Sequence, residues 1–551
     1  MIRTLTAFLL AIAAVVAGAS IVCRALPQPL LTQHVRDAVL NGETPSVGRL
    51  PANQSMRIDV VLALHDQARL DRFLQDLYDP SSPSYRQYLT VEQFTERFGP
   101  SQGEYNAVIS FARANGLTVT GGNRDALDVQ LSGSVADIET AFHVTMGLYH
   151  DPIQNRDFYS PDREPTVDLP FQLWHVSGLD NYSLPRPELV RRPEGAQPAA
   201  TTGSCPQQSF CGSDMRAAYY EGTALTGKGQ NIGLLEFAGY DIADLNTYYK
   251  NAKQKRTAKV IGISTDGTPL KCLYSQGCDD TEQILDMTQA LGMAPGATAV
   301  YEYVGSSDTA ILSSMVSHKP LPLQLSASWQ WSSSPGTDDP YFKRMAAQGQ
   351  SFFKGAGDDG AWGNNSCSGE YPRDDAYITI VGGTDLTTKG PGKGWASETG
   401  WVDGGGGYCP VDNIPIPSWQ KLKGVITKAN QGSTKYRNGP DVSANANFTF
   451  YVCADQSGCT ANEYGGVSFA TPMWAGYIAL ANEQAAANKK KPVGFINPAI
   501  YPLGVGKNNS TYFHDITAGG NGNPPTKGYN LTAGWGTPNT DGLINALAGT
   551  K

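Results

Sequence analysis

Glu282 and Asp286 stand at i and i+4 in TEQILDMTQALG (281–292), a run with helical spacing. Such residues project from one helical face, which sets two carboxyl groups side by side with Leu285 and Met287 as apolar neighbours. Crowded carboxyls push their pKa values apart, and one can hold or accept a proton in acid. A solvated face continuing from Asp279-Asp280 has the same spacing, so both readings stand. A second candidate is Ser468 in GGVSFATPMWAGYIALANEQ (465–484), a small hydroxyl at the mouth of an apolar helix with Pro472 expected in its first turn. Backbone N–H groups collect there, which suits a nucleophile and equally an N-cap. A third is Gly355-Ala356-Gly357-Asp358-Asp359-Gly360, a tight turn presenting a carboxylate. A phosphate cradle would need the lysine of a P-loop, which does not follow, and an ordinary turn is the other reading.

Competing chemistries find little support. After residue 200 the only histidines are His318 and His514, neither within a partner motif, which disfavours a Ser-His-Asp hydrolase. There is no HExxH for a zinc peptidase and no pair of Asp-Thr/Ser-Gly runs for an aspartic one. A glycosidase using Glu282 and a second carboxylate could draw on nine tryptophans, but no saccharide-stacking arrangement is visible.

The candidates lie in a unit spanning 205–551. IGLLEF (232–237), AKVIGIS (258–264), TAVYEYV (298–304), LPLQLSAS (321–328) and YITIVGG (377–383) are near-continuous apolar runs, separated in part by helical stretches at 281–292 and 338–349. That alternation predicts an α/β fold, a parallel sheet with helices on both faces. Upstream, 38–182 reads as a separate α+β unit. A strand is expected at 55–64, helices at 68–78, 91–98, 104–116 and 135–142, and short strands in LTVTGG, ALDVQLSG and HVTMGLYH. An antiparallel sheet is the simplest arrangement of these. Between the units, 183–204 is a Pro-rich linker carrying Arg191-Arg192, read as a processing point rather than a mere spacer.

A chain of 551 residues exceeds one core. With 40% hydrophobic and 17% charged residues it is neither disordered nor coiled-coil. Residues 1–25 read as a signal peptide: Arg3, an apolar run from Leu5 to Val16 too short to span a bilayer comfortably, and small residues at Ala17-Gly18-Ala19. No later stretch predicts a membrane span, so a secreted, extracellular protein is expected. Besides Cys23, eight cysteines remain, and 205/211, 272/278 and 453/459 are each six positions apart. Short disulfide loops fit these pairs and leave Cys367 for Cys409, although other connectivities are open. Zinc is disfavoured without a C-x-x-C. A net charge of -9 argues against nucleic acid as a partner.

Taken together these motifs resemble the sedolisins, the serine-carboxyl peptidases. GGVSFATP resembles the family's nucleophile motif, with further matches in LTGKGQNIGLLEF (225–237), ITIVGGTDL (378–386), GGGGYCP (404–410) and GPDVSANA (439–446), covering nearly all of 215–548. SSPSYRQYLTVEQFTERFGPS (81–101) and SGSVADIETAF (132–142) resemble the family's pro-kumamolisin-type activation domain. The resemblance implies a subtilisin-like parallel sheet, Ser468 as nucleophile, Glu282 as general acid/base, Asp286 as its orienting partner and Asp358 at the oxyanion. It implies a monomeric, acid-acting zymogen that hydrolyses protein or peptide substrates and carries its prodomain as an intramolecular inhibitor. An endopeptidase is expected; a tripeptidyl peptidase or an inactive secreted binding protein of the same fold are the alternatives. It further implies one structural Ca2+, with Asp515, the carbonyls of Ile516, Thr526 and Gly528, and Asn530 as ligands. The family has aspartate at the position of Asn530, so one negative charge is missing and weaker binding is expected. Asn530-Leu531-Thr532 is also a glycosylation sequon. Val467 and Phe469 depart from the family pattern beside the nucleophile, where they are expected to reshape the pocket.

Overall fold

The structure is a computed structural model that describes residues 27–193, 201–364, 367 and 369–550. The expected signal segment lies outside the described residues, as does 194–200 of the linker.

The N-terminal unit runs β1 (Ser46–Arg49), β2 (Ser55–Leu62), α1 (Gln67–Tyr78), α2 (Val91–Phe98), α3 (Gln102–Ala114), β3 (Thr118–Gly121), β4 (Asp128–Ser134), α4 (Val135–Phe142), β5 (Met146–Asp151), β6 (Arg156–Pro161) and β7 (Leu173–Ser177). An antiparallel sheet of order β3-β4-β2-β7 and a second sheet β1-β5-β6 form its frame. Helices α2, α3 and α4 start at capping boxes, Thr90/Gln93, Ser101/Glu104 and Ser134/Asp137. In each, side chains satisfy N–H groups that the first turn leaves free.

The chain then forms two short strands, β8 (Arg186–Pro187) and β9 (Val190–Arg191). In the large unit follow β10 (Asn231–Glu236), β11 (Lys259–Ser264), α5 (Thr281–Met293), β12 (Ala299–Val304), α6 (Asp308–Ser317), β13 (Gln324–Ala327), β14 (Trp329–Gln330), α7 (Asp339–Gln348), β15 (Ser351–Gly355), β16 (Thr379–Thr388), β17 (Trp395–Gly400), β18 (Val442–Asn445), β19 (Tyr464–Gly465) and α8 (Val467–Ala487). The main sheet has the order β11-β12-β10-β13-β15-β16-β17, with β18 also paired to β16. All neighbours are parallel except β16 and β17. Strands covered on both faces need no alternation, which is why β12, β13 and β15 are buried at every position. Ile284, Leu285, Met287, Phe469, Met473 and Trp474 of α5 and α8 form the core on one face with Leu234 and Val300. On the other face Ile311, Leu312, Tyr341, Phe342 and Met345 of α6 and α7 pack on Leu235, Leu325 and Phe352. This is the doubly covered, subtilisin-like sheet that was expected.

The N-terminal unit covers the second of these layers. Phe73 and Leu77 of α1 and Phe94 and Phe98 of α2 belong to the same core as Tyr341 and Phe342. Arg344 is buried there, its guanidinium 4.9 Å from the Phe94 ring centroid.

The described part of the linker is not a loose spacer. β8 pairs antiparallel with β14, and β9 with β19. Its backbone partners lie in the large unit, so no local pattern announces them. The disulfides are 205–211, 272–278, 367–409 and 453–459, the pairing favoured by the spacing. Pro472 lies one turn deeper in α8 than expected, because the helix begins at Val467.

Candidate active site

Ligand clefts in open α/β sheets form beyond the carboxyl ends of the strands, and the candidate residues gather there. Glu236 ends β10, Ser328 follows β13, and Asp358 sits in the turn after β15. Helix α5, packed beside α8 on one face of the sheet, contributes Glu282 and Asp286. They are 2% and 0% exposed, so the solvated-face reading of their spacing fails. Burial raises both carboxyl pKa values well above the ordinary range. For Glu282 the neighbouring Asp286 adds to this and the Ser468 hydroxyl draws it back. For Asp286 the Ser328 hydroxyl, which donates to Oδ1 at 2.8 Å, is the main relief.

Two more buried carboxyls continue the row. Glu236 accepts from Trp329 Nε1 at 2.8 Å, and Glu302 lies within β12. Burial holds both well above the ordinary carboxyl range, with Asp286 raising each further. Sequence reasoning missed this pair. The available signal was a lone carboxylate inside each of two apolar strand runs, LLEF and YEYV, which a solvent-free parallel strand accepts only for a reason.

Ser468 is the second residue of α8, and the N-cap is Gly466 at φ 144°. The N-cap reading therefore falls, and the hydroxyl is free for other work. It donates to the carbonyl of Ser328 at 3.1 Å and lies beside the Glu282 carboxyl, whose pKa it lowers. Four residues on, Pro472 has no N–H for the helical bond to Ser468 O, and the Ser328 hydroxyl lies 3.4 Å from that carbonyl. Asp358 Oδ1 accepts from Val467 N at 2.8 Å while Oδ2 has no partner. Burial raises its pKa well above the usual range, which leaves Asp358 a proton donor in acid, with Oδ2 the oxygen free to carry the proton.

The linker threads this site. Glu188 N donates to Ser328 O at 2.8 Å, and Glu188 O accepts from Ser468 N at 3.1 Å. A Cβ on Gly466 would lie 2.4 Å from Glu188 O and 2.8 Å from Asp358 Oδ2, so both oxygens crowd one face of that glycine. The Glu188 carboxylate is buried against Lys354 Nζ at 2.7 Å and Arg373 Nη2 at 3.5 Å. Of the two expected pocket-shaping departures, Phe469 turns into the core and stacks on Phe450 at 3.9 Å. Val467 does reach the site, close to Gly355. The histidines stand apart: His514 stacks on Trp395 and His318 packs on Tyr301.

The loop expected to hold calcium does not fit a cation. Asn530 Nδ2 donates towards Thr526 O at 2.9 Å, Ile516 O at 3.1 Å and Gly528 O at 3.3 Å. Asn530 Oδ1 is taken by Thr532 N and Ala533 N at 3.1 and 2.9 Å. Those two donors fix the amide orientation, since a flip would set N–H against N–H. The oxygen ligand expected from Asn530 is therefore turned away, and its amino group stands among the carbonyls. Asp515 accepts from Gly528 N, which lies 3.1 Å from each of its oxygens. Among the described residues no trio of His, Cys, Asp or Glu side chains is arranged to hold a metal. None of their helices is long and apolar enough to cross a membrane.

Comparison with known proteins agrees with this geometry. Residues 43–181 match the family "Pro-kumamolisin, activation domain". Kumamolisin of Bacillus sp. (strain MN-32) is 29% identical over 506 residues, spanning 86% of this chain and 88% of that protein. Sedolisin of Pseudomonas sp. (strain 101) is 25% identical over 90% of this chain and 86% of its own. Tripeptidyl-peptidase 1 of Rattus norvegicus is 25% identical over 91% and 93%. The solved structure of Pseudomonas sedolisin complexed with two molecules of pseudo-iodotyrostatin shares the fold at a TM-score of 0.51 and 22% identity, covering 64% of this chain and all of that one. The chain is a serine-type peptidase with a pro-kumamolisin-type activation domain at 43–181, and over most of its length it is similar to the serine-carboxyl peptidases kumamolisin and sedolisin.

Proposed function

We propose that the chain is a secreted, acid-acting endopeptidase made as a self-processing zymogen, with Ser468 as nucleophile. The observation that carries this reading is the Glu188–Leu189 peptide lying over Ser468, its carbonyl on the serine N–H. Glu282, as carboxylate, takes the hydroxyl proton while Ser468 Oγ bonds to the scissile carbonyl carbon. The oxyanion accepts from Ser468 N–H and protonated Asp358. Glu282 returns its proton to the leaving amine, then activates the water that hydrolyses the acyl-enzyme. Asp286 holds and tunes Glu282, and Ser328 holds Asp286. Ionised Glu282 is a base that works where imidazole would be protonated; because burial holds both carboxyls above the ordinary range, the optimum lies where Glu282 has begun to ionise while Asp358 keeps its proton. The stretch from Arg186 to Arg191 blocks the cleft until the linker is cut.

Incubating full-length protein at pH 3–5 beside Ser468→Ala tests the reading. Intact mass and N-terminal sequencing should show cutting within 183–204, with casein hydrolysis, in the unsubstituted protein alone. Equal processing of both proteins would refute self-processing by Ser468.

A further inference from the structure

We propose that Lys354 and Arg373 form the pocket for the residue on the amino side of the scissile bond, and that it selects glutamate. This rests on the reading of Ser468 as nucleophile and of the seated linker as substrate-like.

The backbone defines the position. β8 pairs with β14 before the Glu188–Leu189 bond, and β9 with β19 after it. Glu188 itself is clamped through N–H to Ser328 O and through C=O to Ser468 N–H. A residue whose carbonyl rests on the nucleophile's own N–H contributes the P1 side chain, so the Glu188 side chain marks the P1 pocket.

That pocket is built for a carboxylate. Lys354 Nζ donates to Glu188 Oε1 at 2.7 Å, both side chains at most 2% exposed. Arg373 Nη2 has no hydrogen-bond acceptor of its own and lies 3.5 Å from the same oxygen. Gly355 supplies the space: a Cβ there would meet Glu188 Oε2 at 1.8 Å, so any side chain would close the pocket. The aliphatic wall comes from Val467, and the Lys354 ammonium also lies 5.2 Å from the Trp331 ring.

Charge completes the case. Arg373 has a second partner, Glu370, at 2.6 Å, whereas Glu188 is the only carboxylate at ion-pair distance from Lys354 among the described residues. When the linker leaves, the pocket holds two cations against one carboxylate. A buried unpaired cation is costly, so an incoming acidic side chain restores what the linker took away. With Glu188 seated, burial lowers Lys354 only to about 8, the Glu188 carboxylate holding it up, so the pair it forms with a bound acidic side chain is charged in acid. Glutamine would leave the ammonium unpaired, and a basic side chain would add a third cation.

The test is a matched peptide library differing only in Glu, Gln, Leu or Lys at one position. It is digested by acid-incubated full-length protein, with cut sites mapped by mass spectrometry and Ser468→Ala as control. Cleavage after Glu at least about tenfold faster than after Gln is expected. Serine-dependent cleavage with no preference for Glu overturns the pocket and leaves the peptidase reading intact. Cleavage that does not depend on Ser468 overturns both. In Lys354→Met the Glu-to-Gln ratio should fall towards one, and an unchanged ratio removes Lys354 from the pocket. If that variant does not fold, Arg373→Met reads the same ratio.

Discussion

The backbone nitrogen of Ser468 donates to the carbonyl of Glu188 at 3.1 Å, which lays a peptide of the chain itself against the group proposed to stabilise an oxyanion. The hydroxyl of the same serine donates to Ser328 O and also lies near enough to the Glu282 carboxyl to lower its pKa.

Replacing the proposed base should leave binding and remove chemistry. Glu282→Gln is expected to lower kcat about 10²–10⁴-fold and Asp358→Asn about 10²–10³-fold, with KM little changed. Steady-state kinetics on one peptide after acid activation check both. A loss confined to KM would contradict the assigned roles.

The buried carboxyl row sets a pH dependence of stability. Burial raises Glu236, Glu282, Asp286 and Glu302 well above their ordinary values. Between the unfolded and folded pKa values the native state therefore binds more protons than the unfolded chain. The stabilisation is full below the unfolded carboxyl pKa, about 4, and is lost as pH rises through the raised values. Thermal unfolding of the zymogen should show a lower Tm at pH 8 than at pH 5, and Glu302→Gln should flatten that slope. A Tm that climbs steadily from pH 5 to 8 would contradict it.

Much of this site was legible in the sequence because catalysis leaves short-range marks. Glu282 and Asp286 share a helix face, Ser468 follows two glycines, and Asp358 sits in a glycine turn. Their burial was not legible, since Asp279-Asp280 make the start of α5 look solvated. The linker residue that fills the cleft was invisible for another reason: Glu188 reads as one more charge among prolines, and its partner Lys354 is 166 positions away. The sheet came through because doubly covered strands are apolar throughout. The N-terminal helices α1 and α2 were recognisable, but not that their apolar faces serve the other unit's core.

Asn530 is expected to make the C-terminal loop independent of calcium. Its amino group supplies the N–H donors the carbonyls of Thr526 and Ile516 require. The Tm of the protein should be the same in EDTA and in millimolar calcium. In Asn530→Asp a carboxylate oxygen would face those carbonyls, lowering stability by about 3 kcal/mol unless calcium is added. A calcium-dependent Tm in the unsubstituted protein, or none in Asn530→Asp, would contradict this.

The Cys367–Cys409 disulfide closes a loop of sequence separation 42 that carries Glu370 and Arg373. By loop entropy its removal should cost about 4 kcal/mol. Because the loop anchors Arg373, the Cys367→Ala/Cys409→Ala variant should also weaken any preference for glutamate. Urea unfolding and the peptide library read these separately.

The most direct test of the whole reading is to trap the acyl-enzyme. Acid-activated protein is quenched with a slowly deacylating peptide ester, digested and mapped by mass spectrometry. The expected result is one acyl adduct on the peptide containing Ser468, absent in Ser468→Ala and much reduced in Glu282→Gln. Turnover of the ester with an adduct on another residue, or adducts undiminished in Ser468→Ala, would contradict the assignment of Ser468 as nucleophile.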